Sequence, residues 1–292
     1  MENINGIIII NKPKKFTSHD VVAKVKKILG IKKVGHTGTL DPNATGVLPL
    51  LLNDGTKLSK YLINHDKEYK VTLKLGIKTD TADGEGNIVE TREVNIDKLN
   101  SVEETLASFI GKQEQIPPIY SAIKVKGKKL YEYAREGKSV EIEPIKIEIY
   151  NIKLDKINDE EKEIEFTVEC SKGTYIRSLC EDIAEKLGTI GYMKELERTK
   201  VGNFEISEAI TLEEIEKNKD NIQKYIISME NLLEKYPKIS IENSKEKLFL
   251  NGVNLKTDQE DGIYKIYFKN ETEFIGTGMV SNGRLKRDIV LK

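Results

Sequence analysis

Gly35-His36-Thr37-Gly38-Thr39-Leu40-Asp41-Pro42-Asn43-Ala44-Thr45-Gly46-Val47-Leu48-Pro49 is the most unusual stretch of this 292-residue chain. Gly35–Gly46 has the Gly, Thr, Pro and Asn content of a structured loop, and Val47–Leu52 is apolar. Upstream, Gly6–Ile10 is a continuous apolar run that reads as a buried strand. Thr17-Ser18-His19-Asp20 supplies helix-capping residues. Val21, Val22, Val25, Ile28 and Leu29 then share one helical face, and Gly30 ends the helix. Downstream, Tyr69, Val71, Leu73, Leu75 and Ile77 alternate with polar residues, the pattern of a strand with one buried face.

Further out, Ser101–Ile110 reads as an amphipathic helix, and Ile145–Leu154 and Glu163–Cys170 as alternating strands. Thr174–Leu187 reads as a helix with Ile176, Leu179, Cys180, Ile183, Ala184 and Leu187 on one stripe. Glu205 to Lys247 is mainly polar and reads as helical. Tyr236-Pro237 marks a boundary, and Lys238–Lys292 holds the β-prone runs Ile263–Phe268, Glu273–Val280 and Arg284–Leu291. A β unit of that size is marginal alone, so it is expected to dock on the rest.

The composition bounds the function classes. Lys plus Arg is 47 and Asp plus Glu 48, which excludes a uniformly basic nucleic-acid binder, while 38% hydrophobic residues suffice for a core. The charge is nevertheless segregated. Residues 1–36 carry eight lysines against Glu2 and Asp20, and residues 110–140 carry seven basic against three acidic residues. Residues 80–104 reverse this, with two basic against eight acidic. Local basic faces of this kind suit RNA contact. No transmembrane run or signal-peptide pattern is present, and Cys170 and Cys180 form no disulfide framework, so a cytoplasmic protein is expected. His19, His36 and His65 lack metal spacing, so no metal is expected.

Three stretches could carry chemistry. Asp41-Pro42 alone reads as a helix cap followed by proline at the first helical position. The surrounding glycines could cradle a phosphate, yet neither G-x-x-x-x-G-K-[ST] nor G-x-G-x-x-G is present. Ser171-Lys172-Gly173-Thr174-Tyr175-Ile176-Arg177 lies at a strand–helix junction. Gln115-Ile116-Pro117-Pro118-Ile119-Tyr120-Ser121-Ala122 precedes Lys124, Lys126, Lys128, Lys129, Tyr131, Tyr133 and Arg135. Interleaved cations and aromatics suit phosphate contacts with base stacking, and equally a solvated hairpin.

Together with Asn11-Lys12-Pro13, Lys67-Glu68-Tyr69 and Thr79-Asp80-Thr81, these motifs run in order from about residue 6 to residue 204. In that order they resemble the TruB-type tRNA pseudouridine synthases, and the β-rich tail resembles a PUA-like domain. The resemblance implies an α+β fold with a mixed, largely antiparallel sheet. It implies a catalytic domain over 1–235, with a thumb-like RNA-binding arm near 120–140, and a PUA-like domain over 236–292. The reaction implied is isomerisation of the uridine at position 55, in the TΨC arm of tRNA, by a monomer without cofactor or protein partner.

Carried residue by residue, the resemblance implies that Asp41 is the catalytic carboxylate and that Arg177 pairs with it. Tyr69 would stack on the target uracil, Leu196 would form an apolar wall, and His36 would hold the flipped nucleotide. A phenol of pKa near ~10 is a poor base at neutral pH, which favours stacking over proton transfer for Tyr69. Lys12, Lys15, Lys124, Lys126, Lys128, Lys129 and Arg135 are the expected RNA contacts. Two departures stand out: Lys15 occupies a position where the family often has Gly, and Glu197 one where it often has a cation. Two other readings share these residues: a non-catalytic tRNA-binding or folding protein, and a synthase subunit dependent on guide RNA.

Overall fold

A computed structural model describes residues 4–63, 65–268 and 271–291. Glu2, part of the expected N-terminal segment, lies outside them. The first half comprises β1 (Gly6–Lys12), α1 (Ser18–Leu29), β2 (Val34–His36), β3 (Thr45–Leu52), β4 (Lys67–Leu75), β5 (Ile77–Thr79), β6 (Ile88–Thr91), α2 (Val102–Ala107) and β7 (Gly111–Gln115). A small arm follows, made of β8 (Lys124–Val125), β9 (Lys128–Lys129) and α3 (Leu130–Arg135). Then come β10 (Ile145–Asn158), β11 (Glu163–Cys170), α4 (Ile176–Lys186), β12 (Gly191–Val201), β13 (Phe204–Glu205) and α5 (Leu212–Lys217). The C-terminal part holds β14 (Lys238–Ser240), α6 (Asn243–Leu250), β15 (Leu255–Lys256), β16 (Gly262–Phe268), β17 (Glu273–Ser281) and β18 (Arg284–Val290).

The main sheet runs β1-β3-β12-β4-β11-β10-β7, with β2 and β13 attached at its side. Its ladders are antiparallel except β3–β12, which is parallel. This is the mixed, largely antiparallel α+β architecture expected. Late strand β12 inserts between β3 and β4, so segments far apart in sequence meet at the centre of the sheet.

β1 explains its own apolar run. Ile8 and Ile10 pack with α1 and α5, while Ile7 and Ile9 pack on the other face with Val47, Leu51 and Val201. The α1 capping box is formed: Thr17 Oγ1 accepts from the Asp20 N–H at 3.0 Å, and the Asp20 carboxylate accepts from the Thr17 N–H at 2.9 Å. Helices α2 and α4 cover the central strands, with Leu179, Cys180 and Ile183 packed against Val71, Leu73 and Phe166. Both cysteines are buried and free.

Several local expectations are corrected. The alternating run does not stay in one strand: Gly76, at φ +82°, ends β4, and Ile77 starts β5. The Ser101–Ile110 helix contracts to Val102–Ala107. Glu205 to Lys247 is helical only in short pieces. Its apolar residues are spent on tertiary contacts, with Ile210 bridged to Ile10 and Ile227 to Ile7 along β1. Asp41-Pro42 caps no helix; it opens a turn closed by the Ala44 N–H donating to the Asp41 carbonyl at 3.1 Å.

The C-terminal strands form a separate sheet, β14-β16-β17-β18-β15, around Ile266, Phe268, Ile275 and Val280. It docks through the turn Asn53–Tyr61. The Tyr61 hydroxyl donates to Asp288 at 2.5 Å and lies 3.0 Å from Thr277 Oγ1, Lys60 pairs with Asp288, and Lys57 donates to the Val290 carbonyl at 3.2 Å. No helix among the described residues is long and apolar enough to cross a membrane.

Candidate active site

The turn between β2 and β3 is pinned from three elements. On β1, Lys12 donates its ammonium to the carbonyls of Pro13, Phe16 and Pro42 at 3.0, 2.6 and 2.9 Å. On α1, Ser18 Oγ accepts from the Leu40 N–H at 2.9 Å. On β12, Arg198 donates to the carbonyls of Val47, Gly38 and Thr39 at 2.8, 3.2 and 3.4 Å. Leu40 and Pro42 are thus both fixed, and Asp41 between them is held in place with its side chain only about one-third exposed, at 36%.

Gly46 makes this arrangement possible. It sits at φ +101°, and a Cβ there would lie 2.2 Å from the Arg198 carbonyl oxygen. Only glycine lets β3 close against β12 at this point.

Arg177, at the start of α4, meets Asp41 across 136 residues of sequence. Its Nε lies 3.1 Å from Asp41 Oδ2, and a second nitrogen donates to Oδ1 at 3.5 Å. The guanidinium is also held by the carbonyls of Thr81 at 3.3 Å and Tyr120 at 3.0 Å, and faces Asp83 at 3.6 Å. A buried guanidinium with this many partners has a fixed orientation. Burial nevertheless pushes the Asp41 carboxyl above its ordinary value. Arg177 and Lys12 oppose that rise, and Asp83 adds to it.

A narrow cleft adjoins the carboxylate, with Asn43, Asp83, Glu85 and Lys194 as its polar lining and Ala44, Met193 and Leu196 as its apolar lining. Tyr69 belongs to the same apolar cluster as Leu40, Ala44 and Leu196, and is 8% exposed. Burial raises its phenol further above the ordinary value, against the nearby Arg198. That disfavours a phenolate and leaves the ring as an apolar surface. The structure therefore brings Asp41, Arg177, Leu196 and Tyr69 together.

His36 does not line the cleft beside Asp41. It lies on β2 with its ring edge-on to His19, centroids 5.3 Å apart. Burial, then His19 and Arg198, lower its pKa, so the neutral imidazole dominates at neutral pH.

The expected RNA-contact cations divide into three groups. Lys12 needs correction: it is fully buried, its three donors are taken by carbonyls, and burial lowers its pKa to about 8. It braces the Asp41 turn with its ammonium out of contact with solvent. Lys15 is exposed and adopts φ +66°, the left-handed backbone that glycine accepts more readily. Lys124 and Lys126 are exposed on the arm. Lys128, Lys129 and Arg135 are engaged within it: Lys128 pairs with Glu136 and lies 4.9 Å from the Tyr133 ring centre, while Lys129 and Arg135 lie 5.4 and 5.3 Å from that of Tyr131. These three cations thus lie against the arm's own tyrosine rings.

Sequence reasoning missed Arg198, Asp83 and Ser18 as parts of the site. Arg198 offered one signal: a charged residue two positions beyond Leu196 in an otherwise inward-facing run. Glu197, the anionic departure, lines a groove with Lys70, Asp155, Glu165 and Glu195.

Comparison with known proteins gives the family. The family description "TruB family pseudouridylate synthase (N terminal domain)" matches residues 26–176, and "tRNA pseudouridylate synthase B C-terminal domain" matches 177–234. The chain belongs to the TruB family of pseudouridylate synthases. A TruB-family relative from Clostridium tetani, named tRNA pseudouridine synthase B, is 49% identical over 94% of this chain and 95% of its own. The like-named protein of Aquifex aeolicus is 42% identical over 97% and 98%. Among solved structures, a Cbf5-Nop10-Gar1 complex contains a chain at TM-score 0.71 and 27% identity, matching 98% of this chain and 85% of that one. An H/ACA RNP bound to a substrate RNA containing 2'-deoxyuridine gives 0.69 and 25%, with the same coverage.

Proposed function

We propose that this chain isomerises the uridine at position 55, in the TΨC arm of tRNA, to pseudouridine, with Asp41 as the catalytic carboxylate. The observation that carries the reading is the Asp41–Arg177 pair, at 3.1 Å, beside a cleft walled on one side by Leu196 and Met193. The reaction breaks N1–C1′, turns the uracil and joins C5 to C1′. The C5 proton leaves and N1 gains one, so substrate and product contain the same atoms and no electron carrier is required. A fixed carboxylate can attack the nucleoside or stabilise a cation-like sugar. Arg177 keeps that carboxylate oriented, and Tyr69 and Leu196 give the base an apolar seat.

A stacked loop uridine must first be extruded, at a cost of a few kcal/mol. Exposed Lys15, Lys124 and Lys126 can offset this through phosphate contacts, and His36 can hold the displaced nucleotide. In this reading residues 1–235 are the catalytic domain and 236–292 a PUA-like RNA-binding domain. The chain acts in the cytoplasm as a monomer without a protein partner.

The test is Asp41→Asn with an unmodified tRNA transcript and the purified chain alone. Activity should fall on the order of 10⁴-fold. Near-normal pseudouridine formation by the variant would sink the assignment. Wild-type activity on the transcript alone separates this reading from a folding protein and from a guide-dependent subunit.

A further inference from the structure

The segment Gln115–Ser121, which leads into the arm, is fastened to the first turn of α4 at several points. Gln115 is 3% exposed, and its side-chain amide engages the Tyr175 backbone twice: it accepts from the Tyr175 N–H at 2.8 Å and donates to the Tyr175 carbonyl at 3.0 Å. Ser178 Oγ donates to the Ile116 carbonyl at 2.8 Å, and Arg177 donates to that of Tyr120 at 3.0 Å. Tyr175 is the N-cap residue of α4, and its own side chain makes no capping hydrogen bond. The Gln115 amide therefore does for this helix entrance what a paired strand would do, and Arg177 follows two residues later.

We propose that Gln115 is a positioning residue for the Asp41 site: its amide fixes the Tyr175 backbone and thereby the Arg177 guanidinium against Asp41. The inference rests on the functional reading above. It also supplies a route by which the arm can influence the carboxylate, because one Arg177 nitrogen contacts both Tyr120 and Asp41. Reaction geometry is sensitive to displacements of about 1 Å.

The test is Gln115→Met, which keeps the length of the side chain and removes both hydrogen bonds. The readouts are kcat, KM for tRNA transcript and the pH profile of kcat, with thermal midpoints on the same samples. The groups facing Asp41 are Arg177 at the start of α4, Asp83 after β5, Lys12 on β1, Tyr69 on β4 and Tyr175 before α4. Of these, Arg177 is the one the substitution loosens, and a loosened guanidinium holds the carboxyl down less. The expected result is a roughly 10- to 100-fold fall in kcat with KM changed less than about twofold. The acid limb should also move up by about half a pH unit or more.

An active wild type with an indifferent Gln115→Met variant overturns this inference alone. So does a kcat loss with an unmoved acid limb, which is what general destabilisation gives. A wild-type chain that forms no pseudouridine overturns the functional reading and this inference with it. Should Gln115→Met fail to fold, Gln115→Glu still accepts from the Tyr175 N–H and is scored on the same kcat and KM split. A kcat within about twofold of wild type would then overturn the proposal.

Discussion

Arg198→Met removes a group that ties the Gly38 and Thr39 carbonyls of the turn, and the Val47 carbonyl at the start of β3, to the middle of the main sheet. The guanidinium is 1% exposed and donates to Val47, Gly38 and Thr39. Its Nε–H bond, at 2.8 Å, has the length of a good charge-assisted bond, worth ~1.5–3 kcal/mol. The bonds at 3.2 and 3.4 Å are longer, and together contribute about 1–2 kcal/mol. Against this gross loss of ~2.5–5 kcal/mol stands the relief of a buried cation's desolvation, since methionine is neutral and of similar length. A net destabilisation of about 2–4 kcal/mol is expected, a large share of the ~5–15 kcal/mol typical of a folded protein. Urea unfolding, read as a shift in midpoint at constant slope, measures it. Pseudouridine formation, assayed well below the unfolding midpoint, should fall as well, because the Gly38–Asp41 backbone loses its tether. A loss under about 1 kcal/mol with unchanged kcat would refute the view that Arg198 holds the turn.

Other outcomes follow from the same geometry. Gly46→Ala should destabilise by roughly 2 kcal/mol or more, because its Cβ meets the Arg198 backbone and φ is +101° there; a thermal midpoint equal to wild type would contradict the close approach. Activity should fall as pH drops through the Asp41 pKa, which burial raises, so the acid limb of the kcat profile belongs above the ordinary carboxylate value; a limb at or below about pH 4 would contradict that. Burial pushes the Asp288 carboxyl up, but hydrogen bonds from Lys60, Tyr61 and Thr277 outweigh it and hold it below the ordinary value. Its folded pKa being depressed, its stabilisation is present above the unfolded carboxylate pKa and is lost as pH falls through the folded one. Asp288→Asn should therefore loosen the C-terminal sheet at neutral pH and cost less in acid; equal protease susceptibility of residues 236–292 in variant and wild type at pH 7 would count against this latch.

The residues of this chain show which information is local. Ile7–Ile10 reads as a buried strand, and the structure packs both its faces, because every second side chain points to the same side and none of the four is polar. The α1 capping box was readable for the same reason: its partners are three residues apart. Asp41, Tyr69, Arg177 and Leu196 were legible as a set through ordered motifs, although nothing in their spacing shows a cleft.

Tertiary structure decided the rest. Lys12 and Arg198 look like surface cations in one dimension, yet both are buried, because carbonyls from the Asp41 turn converge on them. Burial of a charge depends on acceptors that here lie up to 160 residues away, and no local period reports them. Gly76 broke an alternating run that periodicity would have continued, and the polar stretch after Glu205 was recruited to the edge of β1 instead of forming a long helix. The sequence by itself determined which residues are apolar, which turns need glycine and which motifs belong together. The insertion of β12 between β3 and β4, the meeting of Arg177 with Asp41 and the docking of the last sheet were set only when the chain closed, since each depends on pairing between distant segments.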